Sequence, residues 1–470
     1  MGVGAVGVVA RARPRGARPA RAAGGAPVVA RLTDSPVYAH LWTTPELTAL
    51  LGEEARWQAW LDILVALARV QARAGIVPAE AAEQIALRAR VEELDWDAVA
   101  AQTRATSHST LGLIRGLQAV LPGTAREHVY VGATVQDVTD TWFGAVMRDV
   151  GAIARRDVRV LEERVLELAA THRATPIAGR THGQPGAPVT FGLKAASWAD
   201  ELRRHGQRLV EGRARWEVGQ LAGAVGALAF HDDEGVDPLA VRAAFCAELG
   251  LDDPGISWTT SRDRVAEFGG VLAMVAGTLA RIGGEVYELA RPEIGELREL
   301  TTPTAVGSIT MPHKRNPEVS EHLDTLARLA RSSAGVLLEG MVAAHERDGR
   351  GWKAEWAALP EVCLLVGTAL SLARSLLDGL EVHVDAMAAN LARHGDRLGS
   401  ERVLAALSPR LGKHAAQDLL QEILAGGGDL AEELAARGIA GGDEVRGWLA
   451  RPADRVAVAM VDAVVARGVS

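Results

Sequence analysis

From Arg56 onward, Trp57, Trp60, Leu61, Leu64, Leu67 and Ala68 recur at three- and four-residue spacing, so they share one face of a helix. The same rhythm returns in three long proline-free tracts: Val189 to Val236, Gly255 to Arg291 and Glu318 to Leu359. Such tracts hold helices of about 30 residues, roughly 45 Å at the α-helical rise. Alternating strand patterns are scarce, with Arg126 to Ala133, "REHVYVGA", the one short candidate. No fixed repeat argues for a helical solenoid. The expectation is an all-α chain built on a bundle of long helices.

A length of 470 residues suggests about three domains, and an apolar fraction of 48% supplies a large core. Changes of texture near residues 110 and 360 divide the chain into an N-terminal helical domain (34–110), a central long-helix bundle (111–360) and a C-terminal helical domain (361–470). Residues 1–33 are expected to be a disordered extension, or the product of a start codon placed too far upstream. The first 31 residues carry six arginines and no acid, and these charges follow the apolar run, where a signal peptide needs them before it. Gly2, Gly4 and Gly7 match a dinucleotide-binding spacing, but no strand precedes them and no helix follows.

Cys246 and Cys363 are far apart and lack metal-type spacing, which points to a reducing cytoplasm. A net charge of −8 and 4% aromatic residues give no footprint for nucleic acid. No apolar run is read as approaching the roughly 18 to 20 residues that span a bilayer, so no membrane partner is expected.

Three polar, helix-breaking islands interrupt this background. The first, "YVGATVQDVTDTW", sets Thr134, Gln136 and Asp137 after a glycine at the start of a helical run. The second, "GRTHGQPGAPVTFGLK", holds Thr181, His182 and Gln184 before Pro185 and Pro188, which restrict the backbone ahead of the next helix. The third is "VGSITMPHKRNPEVS", Val306 to Ser320. Singly, each has a plain explanation: Thr134 and Thr181 as helix caps, Asp137 as a cap or ion-pair partner, His182 as a structural histidine. Jointly, three polar clusters at helix ends can meet where the helices of a bundle converge.

"GSITMPHKRNP" resembles the signature of the fumarase/aspartase superfamily, and "GATVQDVTDT" and "RTHGQP" resemble its other two shared regions. "WLDILVALARVQARAGIVP", "RDRVAEF" and "HERDGRGWKAEWAALPE" look most like the bacterial branch that holds 3-carboxy-cis,cis-muconate cycloisomerase and adenylosuccinate lyase. The resemblance covers residues 36 to 470. It implies a homotetramer in which the long helices form a twenty-helix core and three subunits share each active site. It also implies a small di- or tricarboxylate substrate, with no cofactor and no metal.

The implied reaction removes a proton beside a carboxylate and expels a leaving group from the neighbouring carbon. The resulting aci-carboxylate is doubly negative and needs preorganised donors. By resemblance Ser308, directly after Gly307, is the base; its hydroxyl needs backbone donors and Lys314 to make it acidic enough. Lys314 offers a point charge and Asn316 an amide donor. His182 matches the histidine that protonates the leaving group, a task suited to a side chain that titrates near neutrality. His108, followed by Ser109 where the branch has an acid, matches a histidine near the leaving group. Thr134, Gln136, Thr181 and Gln220 resemble substrate contacts; a helix-end packing role is the alternative for Gln220. Arg262 and Arg347 are candidate ligands for a second carboxylate, or else ion-pair partners of Asp263, Glu346 or Asp348. His231, Asp232, Asp233 and Asp237 are read as a solvated loop.

Two departures bear on the substrate. Val135 stands where the branch usually has serine, and Ile309 where a second serine is common. Thr259 and Ser261 replace histidine and glutamine of the cycloisomerases. The expected activity is β-elimination from a substituted succinate, of the N-substituted aspartate or nitrosuccinate type, to give fumarate. Lactonising cycloisomerisation of carboxymuconate and adenylosuccinate cleavage are the alternatives.

Overall fold

The computed structural model describes residues 30–300, 307–450 and 455–469. Most of the extension expected at 1–33, with Gly2, Gly4 and Gly7, therefore lies outside the described residues. Among the described residues the chain is all-α apart from two small two-stranded sheets. The helical face read from Trp57 to Ala68 lies in α1 (Glu53–Arg73), which buries Trp60, Leu61, Leu64, Leu67 and Ala68. Three shorter helices follow: Ala79–Arg88, α2 (Trp96–Thr106) and α3 (Leu111–Val120).

Five helices then pack side by side: α4 (Val135–Thr171), α5 (Phe191–Glu211), α6 (Asp263–Leu289), α7 (Glu318–Glu339) and α8 (Gly349–Asp378). With 37 residues, α4 is the longest of them, about 56 Å from end to end. The tract from 189 to 236 does not form one long helix. It ends α5 at Glu211, adds a short turn and a five-residue helix, and leaves the glycine-containing segment 219–227 as an irregular loop tied to the N-terminal end of α4.

Pro360, which ends the third proline-free tract, sits inside α8. Position 360 is thus mid-helix, and the hydrophobic clusters divide further on. One runs from Leu47 to Met387 and takes in Val461, and the other spans Val403 to Trp448. Contrary to the sequence reading, α6 and α8 are long and apolar enough, by length and composition, to cross a bilayer. Most of each apolar stretch is buried inside the chain, because a central bundle helix meets neighbours on nearly every side.

The strand candidate at 126–133 is instead a 3-10 turn (Ala125–His128) followed by tight turns. The strands lie in the second island: β1 (Pro176–Thr181) pairs antiparallel with β2 (Gln184–Thr190), with a register shift between Gly179 and Arg180. Because the sheet has only two strands, both are edges and tolerate Pro185 and Pro188. A second pairing joins β3 (Leu297–Arg298) to β4 (Glu381–Val382), just before α9 (Val384–His394).

Candidate active site

The first island opens α4 with Thr134 at its N-cap. Asp137 reaches back to accept from the Thr134 N–H at 2.7 Å, the return arm of a capping box. The same carboxyl accepts from the N–H groups of Ala222 (2.7 Å) and Gly223 (3.2 Å), and so pins the 219–227 segment to the helix end. Burial pushes Asp137 up to about 7, against the pull of these three donors.

Gln136 has a fixed amide orientation. Its Nε2 donates to the Thr259 carbonyl (3.0 Å) and to Asp140 (3.3 Å), which leaves Oε1 to accept from Arg347 Nε at 3.1 Å. Arg347 is exposed and also leans on the Ala224 carbonyl. Gln220 is fully buried; its backbone is tied to the Thr141 hydroxyl and its Oε1 accepts from Trp258 N–H at 3.1 Å. Among the described residues, Gln220 Nε2 has no partner.

Below Gln136 lies a closed charge cluster. Arg262, 2% exposed, pairs with Asp140 (2.8 Å) and with Glu355 (3.0 Å), both fully buried. Trp352 Nε1–H donates to Asp140 at 3.1 Å, and the Arg262 guanidinium sits 5.0 Å from the Trp258 ring. Of the two roles open to Arg262, the structure shows an ion pair, but with Asp140 and Glu355 in place of Asp263, Glu346 or Asp348. Burial pushes the Glu355 carboxyl upward while the guanidinium opposes it.

His108 caps α3: its Nδ1 accepts from Leu111 N–H (3.1 Å) and Thr110 N–H (3.4 Å), and the ring is exposed. Ser109 is half-buried beside it. Sequence reasoning missed Tyr130, one of three tyrosines in the chain. It holds φ +66° and places its hydroxyl by Thr110 and Thr134. Burial and then Asp137 push that phenol well above its ordinary range. The signal was its place in "YVGAT", where a tyrosine precedes the turn glycine Gly132.

The second island puts Thr181, His182, Gly183 and Gln184 at the exposed tip of the β1–β2 hairpin. His182 and Gly183 have φ of +51° and +75°, as a two-residue primed turn requires at both central positions. In the third island Gly307 is required by close approach, since a Cβ there would lie 2.2 Å from the Lys314 carbonyl. Asn316 Nδ2 donates to the Gly307 carbonyl at 2.7 Å and to Glu318 at 3.1 Å, so it clips the loop shut. Ser308 Oγ accepts from the Met311 N–H at 3.0 Å. Lys314 is exposed, and Ile309 is 93% exposed. Of the remaining acidic cluster, Asp237 caps the helix Pro238–Glu248, and His231 is buried against Gln71 at 3.0 Å.

The fold thus gathers Thr134, Gln136 and Gln220 on one wall. Among the described residues, no hydrogen bond or ion pair joins Ser308, Lys314 or His182 to one another or to that wall.

A protein-family model described as Lyase matches residues 41–330. N-acetyl-S-(2-succino)cysteine lyase of Enterococcus italicus is 39% identical over 381 residues, 81% of this chain and 83% of that protein. The 3-carboxy-cis,cis-muconate cycloisomerase of Pseudomonas aeruginosa is 40% identical over 379 residues, 80% of this chain and 82% of that one. Nitrosuccinate lyase of Streptomyces davaonensis is 38% identical over 422 residues, 87% and 89% of the two chains. Among solved structures, fumarate lyase from Mesorhizobium sp. BNC1 superposes with a TM-score of 0.82 at 32% identity, covering 92% of this chain and all of the other (100%). With these likenesses beside the three islands, the chain belongs to the Lyase family and is a lyase of the fumarase/aspartase superfamily.

Proposed function

We propose that the chain eliminates a substituent from a 2-substituted succinate and releases fumarate. Ser308 takes a proton from the carbon next to one carboxylate. The electron pair forms the double bond as the substituent leaves the neighbouring carbon, and His182 protonates the substituent. Lys314 and Thr181 hold the carboxylate on which charge collects, Asn316 closes the loop that presents Lys314, and Thr134, Gln136, Gln220, His108 and Ser109 face the rest of the substrate.

The observation that carries this reading is the hydrogen bond of Ser308, whose Oγ accepts from a backbone N–H. A hydroxyl oxygen held in that sense is stabilised as it gains charge, which a serine base requires. Relatives that act on a succinyl thioether and on nitrosuccinate support a substituted-succinate substrate. Lactonising cycloisomerisation is the second reading, favoured by the cycloisomerase relative. The test is to incubate the protein with N-acetyl-S-(2-succino)cysteine, nitrosuccinate, adenylosuccinate and carboxymuconate. Ultraviolet absorbance reports fumarate formed from the first three, or conjugation lost from the last. Fumarate from none of the first three overturns the elimination reading.

The separation of the islands within one chain supports sites completed by other copies. Met274, Leu329, Val336, Leu338 and Met341 expose apolar surface along α6, α7 and the turn after it, a stripe suited to self-association. Four copies of the five long helices would form a core of twenty. Native mass spectrometry tests this, and an active monomer excludes it.

A further inference from the structure

The hairpin that carries His182 is a poor platform by itself. A lone two-stranded sheet is marginal in water, and a non-glycine residue in the left-handed region adds strain. His182 has φ +51° at an exposed tip. The general acid of a β-elimination must nevertheless sit within a fraction of an ångström of its target, since a misplacement of about 1 Å can cost about 100-fold in rate.

Two residues before His182, directly after the register shift, the Arg180 side chain turns inward. Its two Nη atoms donate to the two carboxylate oxygens of Glu296, each at 2.8 Å. This is the bidentate geometry that fixes both distance and plane. Glu296 is fully buried and is itself held on all sides. Asn390 Nδ2, from α9, donates to its Oε1 at 2.8 Å; its N–H donates to the Leu289 carbonyl; and its carbonyl accepts from His383 N–H. Glu296 also lies three positions before Glu299, whose carboxylate accepts from Val319 and Ser320 N–H at 3.1 and 2.7 Å. One short segment, 296–299, therefore anchors both the hairpin of His182 and the C-terminal foot of the loop of Ser308.

We propose that Arg180 and Glu296, braced by Asn390, are the positioning residues of His182: the buried pair locks the strained tip so that its imidazole meets the leaving group. This rests on the reading of His182 as general acid. A buried carboxylate facing a guanidinium at the neck of an otherwise exposed hairpin is costly to desolvate, and exchange for neutral groups is often tolerated by a fold. The pair is therefore explained by placement of the tip better than by stability.

The test uses the full-length chain with Arg180→Met, the double variant Arg180→Met/Glu296→Gln, the conservative Arg180→Lys, and His182→Asn. The tie is read first without substrate, by hydrogen exchange of the segment 176–190. Faster exchange there in the double variant, at a parental melting temperature, is expected; unchanged exchange overturns the proposal. Turnover is then read on N-acetyl-S-(2-succino)cysteine, whose thiolate needs a proton, and on nitrosuccinate, whose nitrite is stable as an anion. The double variant should lose about 10- to 100-fold in kcat on the thioether with KM within about twofold, and much less on nitrosuccinate. Arg180→Lys should recover part of the loss. The double variant should be no worse than Arg180→Met alone, as expected of two residues acting as one unit. Equal losses on both substrates, or a loss confined to KM, overturn the proposal. If His182→Asn keeps parental kcat, the acid assignment fails instead, and the exchange result still decides whether the pair holds the tip.

Discussion

The wall around Gln136 and the two tips that bear His182 and Ser308 are made in opposite ways. On the wall, Gln136, Asp137, Asp140, Arg262 and Glu355 are buried and hydrogen-bonded across α4, α6, α8 and the 219–227 segment. On the tips, His182 and Lys314 stand in solvent and, among the described residues, Ser308 has one hydrogen bond, to a backbone N–H. The wall is hydrogen-bonded within one chain; on the tips, no described residue pairs with His182 or Lys314 by a side-chain hydrogen bond or ion pair. In the proposed reaction, a wall that faces the rest of the substrate works best when it is rigid before the substrate arrives, whereas groups that move protons must reach the substrate and cannot be used up by the fold.

Substitutions can break this contrast. The largest effect is expected at a tip: Ser308→Ala should lower kcat by about 10²- to 10⁴-fold, the usual worth of a general base, with the circular-dichroism melting curve unchanged. A parental kcat would remove serine from the role. On the wall, Arg262→Ala strands two buried carboxylates and should cost about 3–5 kcal/mol in urea unfolding. A stability close to the parent's would mean that water reaches the cluster.

A gentler probe of the wall is pH. Asp137 is raised in the fold to about 7, well above a free carboxyl, so between those values the native state binds the extra proton. Its contribution to stability is present at low pH and is lost as pH rises toward and through 7. Asp137→Asn should remove that slope, read as melting temperature against pH from mildly acid to mildly alkaline conditions; identical slopes would place the titration elsewhere. The smallest effect on stability belongs to a tip: Lys314→Ala should stay within about 0.5 kcal/mol of the parent while raising KM and lowering kcat.

The sequence and the structure agree where local pattern decides. The Trp57–Ala68 face became the buried side of α1 because three- and four-residue spacing is itself the geometry of one helical face. The signature loop was legible through Gly307, which admits no Cβ, and Asn316, which closes the turn, although its amide had been expected to face the substrate. The hairpin was hidden because Pro185 and Pro188 read as breakers, and they break a strand only where its N–H is needed. The ion pair open to Arg262 was matched with other acids for a different reason: its partners lie 122 and 93 positions away, and acids near it in sequence or near Arg347 looked equally suitable. Tyr130 showed no periodicity, and only the fold brings its hydroxyl to Thr110 and Thr134.

The apolar character of α6 and α8 has a consequence for biogenesis. While the chain is still being synthesised, α6, which has the length and composition of a membrane-crossing stretch, is made before α7 and α8, the later helices that cover it in the bundle. Of its bundle neighbours, α5 is already made and can pair with it first, covering part of that surface. Substitutions that slow that pairing should appear as misrouted or aggregated nascent chains rather than as an altered catalyst.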